Sequence, residues 1–239
     1  MRLSVLMGVA AAALVAGCGS AHSEDGGPTV QRDYSVGNFD RIELAGAYDV
    51  TVKTGSAPSV HATGNEKAME RMVVEVKNGI LTIYPKKRNG FSWSSGGGHV
   101  ELQVTVPSLR GAELAGSGDI RIDSVAGDQF AGGIAGSGNL TVDKLEVGDL
   151  KIDIAGSGSA KAGSGRAKKA EYDIAGSGGI DAGGVVTEST SVSIAGSGDV
   201  TAHASNSADV DIMGSGNVEV KGGAKCNVSK AGSGDVRCS

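Results

Sequence analysis

Seven times the chain writes a short word in which a serine stands between two glycines: "ELAGSGDIRI", "GIAGSGNLTV", "DIAGSGSAKA", "DIAGSGGIDA", "SIAGSGDVTA", "DIMGSGNVEV" and "SKAGSGDVRC". Two chemistries could use such a word. A serine in G-x-S-x-G can be an activated nucleophile, but that elbow needs a strand, a sharp turn and a helix. In "AGSGSAKAG" the glycines lead into alternating, strand-like residues instead. The same objection removes a phosphate cradle, which closes on a helix N-terminus. The second chemistry is calcium binding, because "GSGD" echoes Gly- and Asp-rich calcium loops. The residue after each GSG runs Asp119, Asn139, Ser159, Gly179, Asp199, Asn217, Asp235, so only three of the seven carry charge. A hard cation wants several carboxylates in one loop, whereas Asp, Asn, Ser and Gly are also ordinary turn residues. His22, His61, His99 and His203 are scattered, with no His/Cys/Asp cluster at metal spacing. The sequence therefore predicts no enzyme, no metal site and no cofactor.

Cysteine offers more. "LSVLMGVAAAALVAG" is an apolar run preceded by Arg2, too short for a confident membrane span and suited to a signal peptide. It ends in "LVAGC", which resembles the lipobox of bacterial lipoproteins. That resemblance implies cleavage before Cys18, diacylation of its thiol and acylation of the new amine. Two or three acyl chains hold a protein on a membrane far better than one. Gly19, in place of Asp, implies passage to the outer membrane by analogy with Gram-negative sorting. The other two cysteines, Cys226 and Cys238, share the inward parity of Val228 and Val236. In an exporting compartment they are predicted to pair and close the end of the fold, the alternative being two buried thiols. A loop over 86–98 places Phe91 and Trp93 beside Lys86, Lys87 and Arg88. These aromatics are the candidate partner contact, by stacking on a sugar or a cation, unless they fold back over the end of the domain.

The elements that must position these residues follow from period and parity. The words begin at Ala115, Ala135, Ala155, Ala175, Ala195, Met213 and Ala231, in steps of 20 and then 18; an eighth "AGSG" at Ala162 is out of register. A fixed period marks a solenoid whose units bury their apolar sides only by stacking. Within "SIAGSGDVTA" the even positions are Ile, Gly, Gly, Val and Ala and the odd ones mostly polar, which is the two-residue period of a half-buried strand. The predicted fold is all-β: a right-handed parallel β-helix with coils of about 18–20 residues, each made of two or three short strands. Lys230, standing where Ile194 stands in its coil, is assigned to a polar end cap. Upstream, "LAGAYDVTV" reads as a degenerate copy. Asn65 to Met72 is the one helix-like piece, and "MVVEV-KNG-ILTIYP" is a hairpin turning at Asn78–Gly79. The expected organisation is a signal peptide over 1–17, a flexible tether over 18–33, an irregular β cap over 34–108 and the regular column over 109–239. The seven serines are expected to form an outward ladder that satisfies its own hydroxyls.

With the words placed, "GNFDRIELAGAYDVTV", "VEVKNGILTIYP", "VTVPSLRGAELAGSGDI" and the serial GSG resemble the bacterial "putative auto-transporter adhesin, head GIN domain" family over roughly residues 34 to 237. The resemblance implies a β-helical envelope protein without established catalysis. Its expected role is a lipid-anchored adhesion or binding module, exported, on the outer membrane, meeting a cell-surface or cell-wall ligand. The alternative is a periplasm-facing structural or sensory lipoprotein. A net charge of −5 without a basic patch argues against nucleic acid as a partner.

Overall fold

Glycine decides where this chain turns. The computed structural model describes residues 27–86 and 99–239. In it the first glycine of each GSG word, from Gly116 to Gly232, takes φ between 132° and 137°. A side chain is strained there, and it also has no room: a methyl group on Gly196 would overlap the carbonyl oxygen of Gly176, one coil earlier. The following serine N–H then donates to that same carbonyl row, at 2.8–3.1 Å throughout. The second glycine is buried, as at Gly158, where a methyl would press on Ile134 as well as on the backbone of Gly138. Both glycines of the word are thus required by close backbone approach at a stacked corner.

Between corners the chain is extended almost without interruption. After β1 (Thr29–Tyr34), β2 (Arg41–Gly46), β3 (Asp49–Thr54), β4 (Ser59–Asn65), helix α1 (Glu66–Arg71), β5 (Met72–Lys77), β6 (Ile80–Pro85), β7 (Val100–Val106) and β8 (Gly111–Gly116), the coils follow one another. They are β9 (Asp119–Gly136), β10 (Asn139–Gly156), β11 (Ser159–Gly176), β12 (Gly179–Asp181), β13 (Val185–Gly196), β14 (Asp199–Gly214), β15 (Asn217–Lys221), β16 (Lys225–Gly232) and β17 (Val236–Cys238). In β9, β10 and β11 one bent strand of 18 residues wraps from corner to corner, where two or three short strands were expected. Residues pair in parallel with their counterparts one coil away, so Ile154 lies between Ile134 and Ile174. The column is a parallel β-solenoid filled by aliphatic side chains. Where β11 turns four alanines inward (Ala160, Ala162, Ala167 and Ala170), the large Tyr172 of the same strand is fully buried among them.

The change of step from 20 to 18 has a local cause. Asp181 pairs with Thr201, Thr187 with Ala204, and Ser189 with Ser207. The chain bulges at Ala182–Gly184, where Val185 N–H returns to Ala182 O, and the next coil proceeds without that bulge. The irregularity buries Thr187 and Thr190, which bond each other at 2.7 Å, while the Thr187 hydroxyl also reaches the His203 carbonyl at 2.6 Å. Polar side chains are tolerated inside because they are partnered.

Three expectations need correction. The column does not begin at 109: β2 pairs with β8 in register from Arg41↔Gly111 to Gly46↔Gly116, and β3 pairs with β9. The degenerate copy is therefore a true coil. The cap is built from strands that come after that coil in the chain. β6 adds to the far edge of β2 and β7 to the far edge of β3, so later residues stand ahead of earlier ones along the axis. Finally, the stretch 18–33 is not wholly a tether. Thr29–Tyr34 forms β1, antiparallel to β4 from Thr29↔Asn65 to Tyr34↔Val60, with Val30 and Tyr34 against the core and Asp33 bonded to His61 at 2.6 Å. The predicted hairpin is present as β5–β6, with positive φ at Asn78 and Gly79, and α1 lies where the helix-like piece was read.

Candidate functional site

In a parallel stack, any residue type repeated once per coil becomes a column on the surface. The stretch of three residues before each corner produces two such columns side by side. The first runs Glu43, Glu113, Gly133, Asp153, Asp173, Ser193, Asp211 and Ser229, each in register with the next. The second, two residues further on, is alanine from Ala45 to Ala231, broken only by Met213, which is 70% exposed. Between them a row of leucine and isoleucine from Leu44 to Ile212 points inward, and it ends at the exposed Lys230. A low rail of methyl groups beside taller carboxylates makes an open groove of about 950 Å³ that spans the column from β2 to β16.

The groove's electrostatics vary along its length. Beside its middle, from the adjacent row, Lys151 sets its ammonium against Glu171 at 2.5 Å, Asp173 at 3.2 Å and Asp153 at 3.3 Å. The bond to Glu171 in particular raises the lysine pKa above its ordinary value. Among the described residues no cation pairs with Glu43, Glu113 or Asp211, towards the two ends. Glu43 and Glu113 are direct register neighbours, about 4.8 Å apart at the backbone, an arrangement in which like charges repel.

The residues singled out as motifs take other parts. In the column suspected of calcium binding, Asp119 Oδ1 accepts from Asn139 N–H and Nδ2 at 3.0 and 2.9 Å. Asp199 Oδ1 accepts from Asn217 in the same way, and Asn217 Oδ1 from Asp235 N–H at 3.1 Å. Asp119 and Asp199 are each followed one coil later by an asparagine whose backbone and side-chain amides the carboxylate receives. Among the described residues no group of three or more His, Cys, Asp or Glu could hold a metal ion. The serine ladder bonds through its backbone N–H groups; among the described residues its hydroxyls bond to nothing, contrary to the expected self-satisfied ladder. Cys226 and Cys238 form a disulfide. Lys230 is exposed at the last coil, in register with Ile212, and its ammonium donates to Gly234 O at 2.5 Å. Cys18, Phe91 and Trp93 lie outside the described residues. Sequence reading passed over the groove, whose signal was an acid two residues before four of the seven words, at Glu113, Asp153, Asp173 and Asp211.

Residues 38–224 match the family model described as "Putative auto-transporter adhesin, head GIN domain". A search among curated proteins found no match. Among solved structures, a putative adhesin from Bacteroides fragilis is 24% identical, covers 88% of this chain and 97% of its own, and superimposes with a TM-score of 0.79. A protein from Parabacteroides distasonis described as a putative lipid binding protein is 25% identical (89% and 97% covered, TM-score 0.69). A putative adhesin from Parabacteroides merdae is 20% identical (89% and 97%, TM-score 0.70).

Proposed function

Since the chain belongs to the putative auto-transporter adhesin, head GIN domain family, we propose that it is an exported binding module, held to the outer membrane by lipid on Cys18, which meets its ligand along the flank groove and performs no catalysis. The groove carries the reading. The column's interior is filled by its own side chains, whereas one flank repeats the same two columns over nearly every coil and so presents a long, uniform contact face. Adhesion agrees with the names given to the relatives from Bacteroides fragilis and Parabacteroides merdae. Export agrees with a disulfide, which persists in oxidising compartments. Anchoring rests on "LVAGC".

The test is antibody labelling of a C-terminal epitope tag on intact and on permeabilised cells, with metabolic palmitate labelling of the parent and of Cys18→Ser in parallel. Display predicts labelling of intact cells, and anchoring predicts loss of palmitate in the variant. Labelling only after permeabilisation would overturn display and turn the groove toward periplasmic partners. Palmitate retained by Cys18→Ser would overturn the anchor.

A further inference from the structure

Resting on the reading of the groove as the contact face, we infer that its occupant is an extended cationic chain, a basic polypeptide segment lying along the column axis. Shape sets the first half of this. From the coil of Glu43 to that of Ser229 the groove crosses seven coil spacings, roughly 34 Å at ~4.8 Å each. About ten residues of extended chain match that length. A globular ligand would touch only part of it, and a helix is too broad for a rail of alanine methyls.

Charge sets the second half. The carboxylate side of the groove carries five acids, and Lys151 serves only the middle two. Glu43, Glu113 and Asp211 remain without a cation among the described residues, and Glu43 stacks directly on Glu113. Lys151, which reaches over from the neighbouring row, shows what these acids accept: an ammonium held between stacked carboxylates. A ligand repeating that motif would extend it to both ends. A second copy offering the same face is disfavoured, because acid would meet acid. An acyl chain would find the alanine rail but would leave the carboxylates beside it unpaired.

The probe is a fluorescent decapeptide of alternating lysine and alanine, with its glutamate–alanine counterpart and laurate as comparators. Its binding to the full-length protein, purified as the cell processes it, is followed by anisotropy. The lysine peptide should bind and the glutamate peptide should not. Affinity should fall about tenfold in the triple variant Glu43→Gln, Glu113→Gln, Asp211→Asn, since each exposed ion pair contributes little alone. Ala155→Phe with Ala175→Phe, which raises the exposed rail without entering the core, should abolish binding. Glu146→Gln with Glu188→Gln, exposed positions outside the groove, should leave it unchanged beyond the loss of net charge. An unchanged thermal midpoint in each variant establishes that the fold survives.

No saturable binding of the lysine peptide overturns the inference. So does equal weakening by the groove and off-groove variants, or binding of laurate alone with loss in the phenylalanine variant, which would make the occupant an acyl chain. The outcome is separable from the display test, because a purified protein that binds the peptide does so whichever way it faces on the cell.

Discussion

The two ends of the column are closed in different ways. At the N-terminal end β6 and β7 add a coil ahead of β2 and β3. The antiparallel strands β4 and β1 and the helix α1 then cover the edge, burying Met69 completely. At the C-terminal end β16 pairs only with β14 and β17 only with β15, and Val228, whose counterparts inside the column are buried, is 45% exposed. There a disulfide and one lysine take the place of a whole cap of strands and helix. A stack that buries nothing without its neighbour must end somewhere. One end here is finished by burial, the other by covalent restraint and charge, which also discourages further strands from adding to an open edge.

The difference can be broken most forcefully between the ends. Gly196→Ala combines a positive φ with overlap of a backbone oxygen, and is expected to cost about 3–5 kcal/mol in denaturant unfolding. Hydrogen exchange should rise first on the C-terminal side, where among the described residues a disulfide and one lysine close the last coil. Gly127→Ala has a positive φ but open space around it, so its cost should stay near ~1 kcal/mol; equal costs would show that overlap is not the cause. Next comes Cys226→Ala with Cys238→Ala, which opens a loop with a sequence separation of 12 and should remove about 3 kcal/mol from the last coil. Exchange should quicken in β16 and β17 and stay unaltered in β1 and β4.

A gain is expected at Tyr172→Phe. The hydroxyl is buried without a partner, so its loss should stabilise the column by about 1 kcal/mol. Burial also raises the phenol pKa above its ordinary value of 10.0. Above that pH the unfolded chain releases this proton while the folded chain retains it, so folding stability falls as pH rises. Tyr172→Phe should flatten that alkaline decline, and parallel curves for parent and variant would refute the assignment. The smallest effect belongs to the N-terminal end: His61→Gln removes an exposed contact to Asp33 and should shift stability by at most ~0.5 kcal/mol. It should be visible mainly as faster exchange in β1, while the rest of the cap holds.

The same contrast separates what could be read in the chain from what could not. The coil period, the inward isoleucines, the turn at Asn78–Gly79 and the pairing of Cys226 with Cys238 are local in sequence or repeated at a fixed step, and parity alone reaches them. β1 escaped because an edge strand of Gln31, Arg32 and Asp33 with few apolar residues has no alternation to display; its partner β4 lies beyond two intervening strands. The placing of β6 and β7 ahead of β2 is a matter of order along an axis, which spacing does not encode. The groove is legible only once the period is written as stacked rows, because Glu43 and Glu113 are far apart in the chain and become neighbours through one register.

The last coil has a consequence under mechanical load. The hydrogen bonds of the column run along its axis, so tension between its ends loads them coil after coil, as a zipper is loaded, and does not shear them together. Peeling would ordinarily start at the free C-terminal strand, where one short ladder holds β17. With Cys238 bonded to Cys226, a pull on the terminus is shared by β16 and β17, and both ladders must yield at once. The disulfide thus acts as a stop at the slider end of the zipper, and reduction should lower the force at which the first coil detaches while leaving the force for the following coils unaltered.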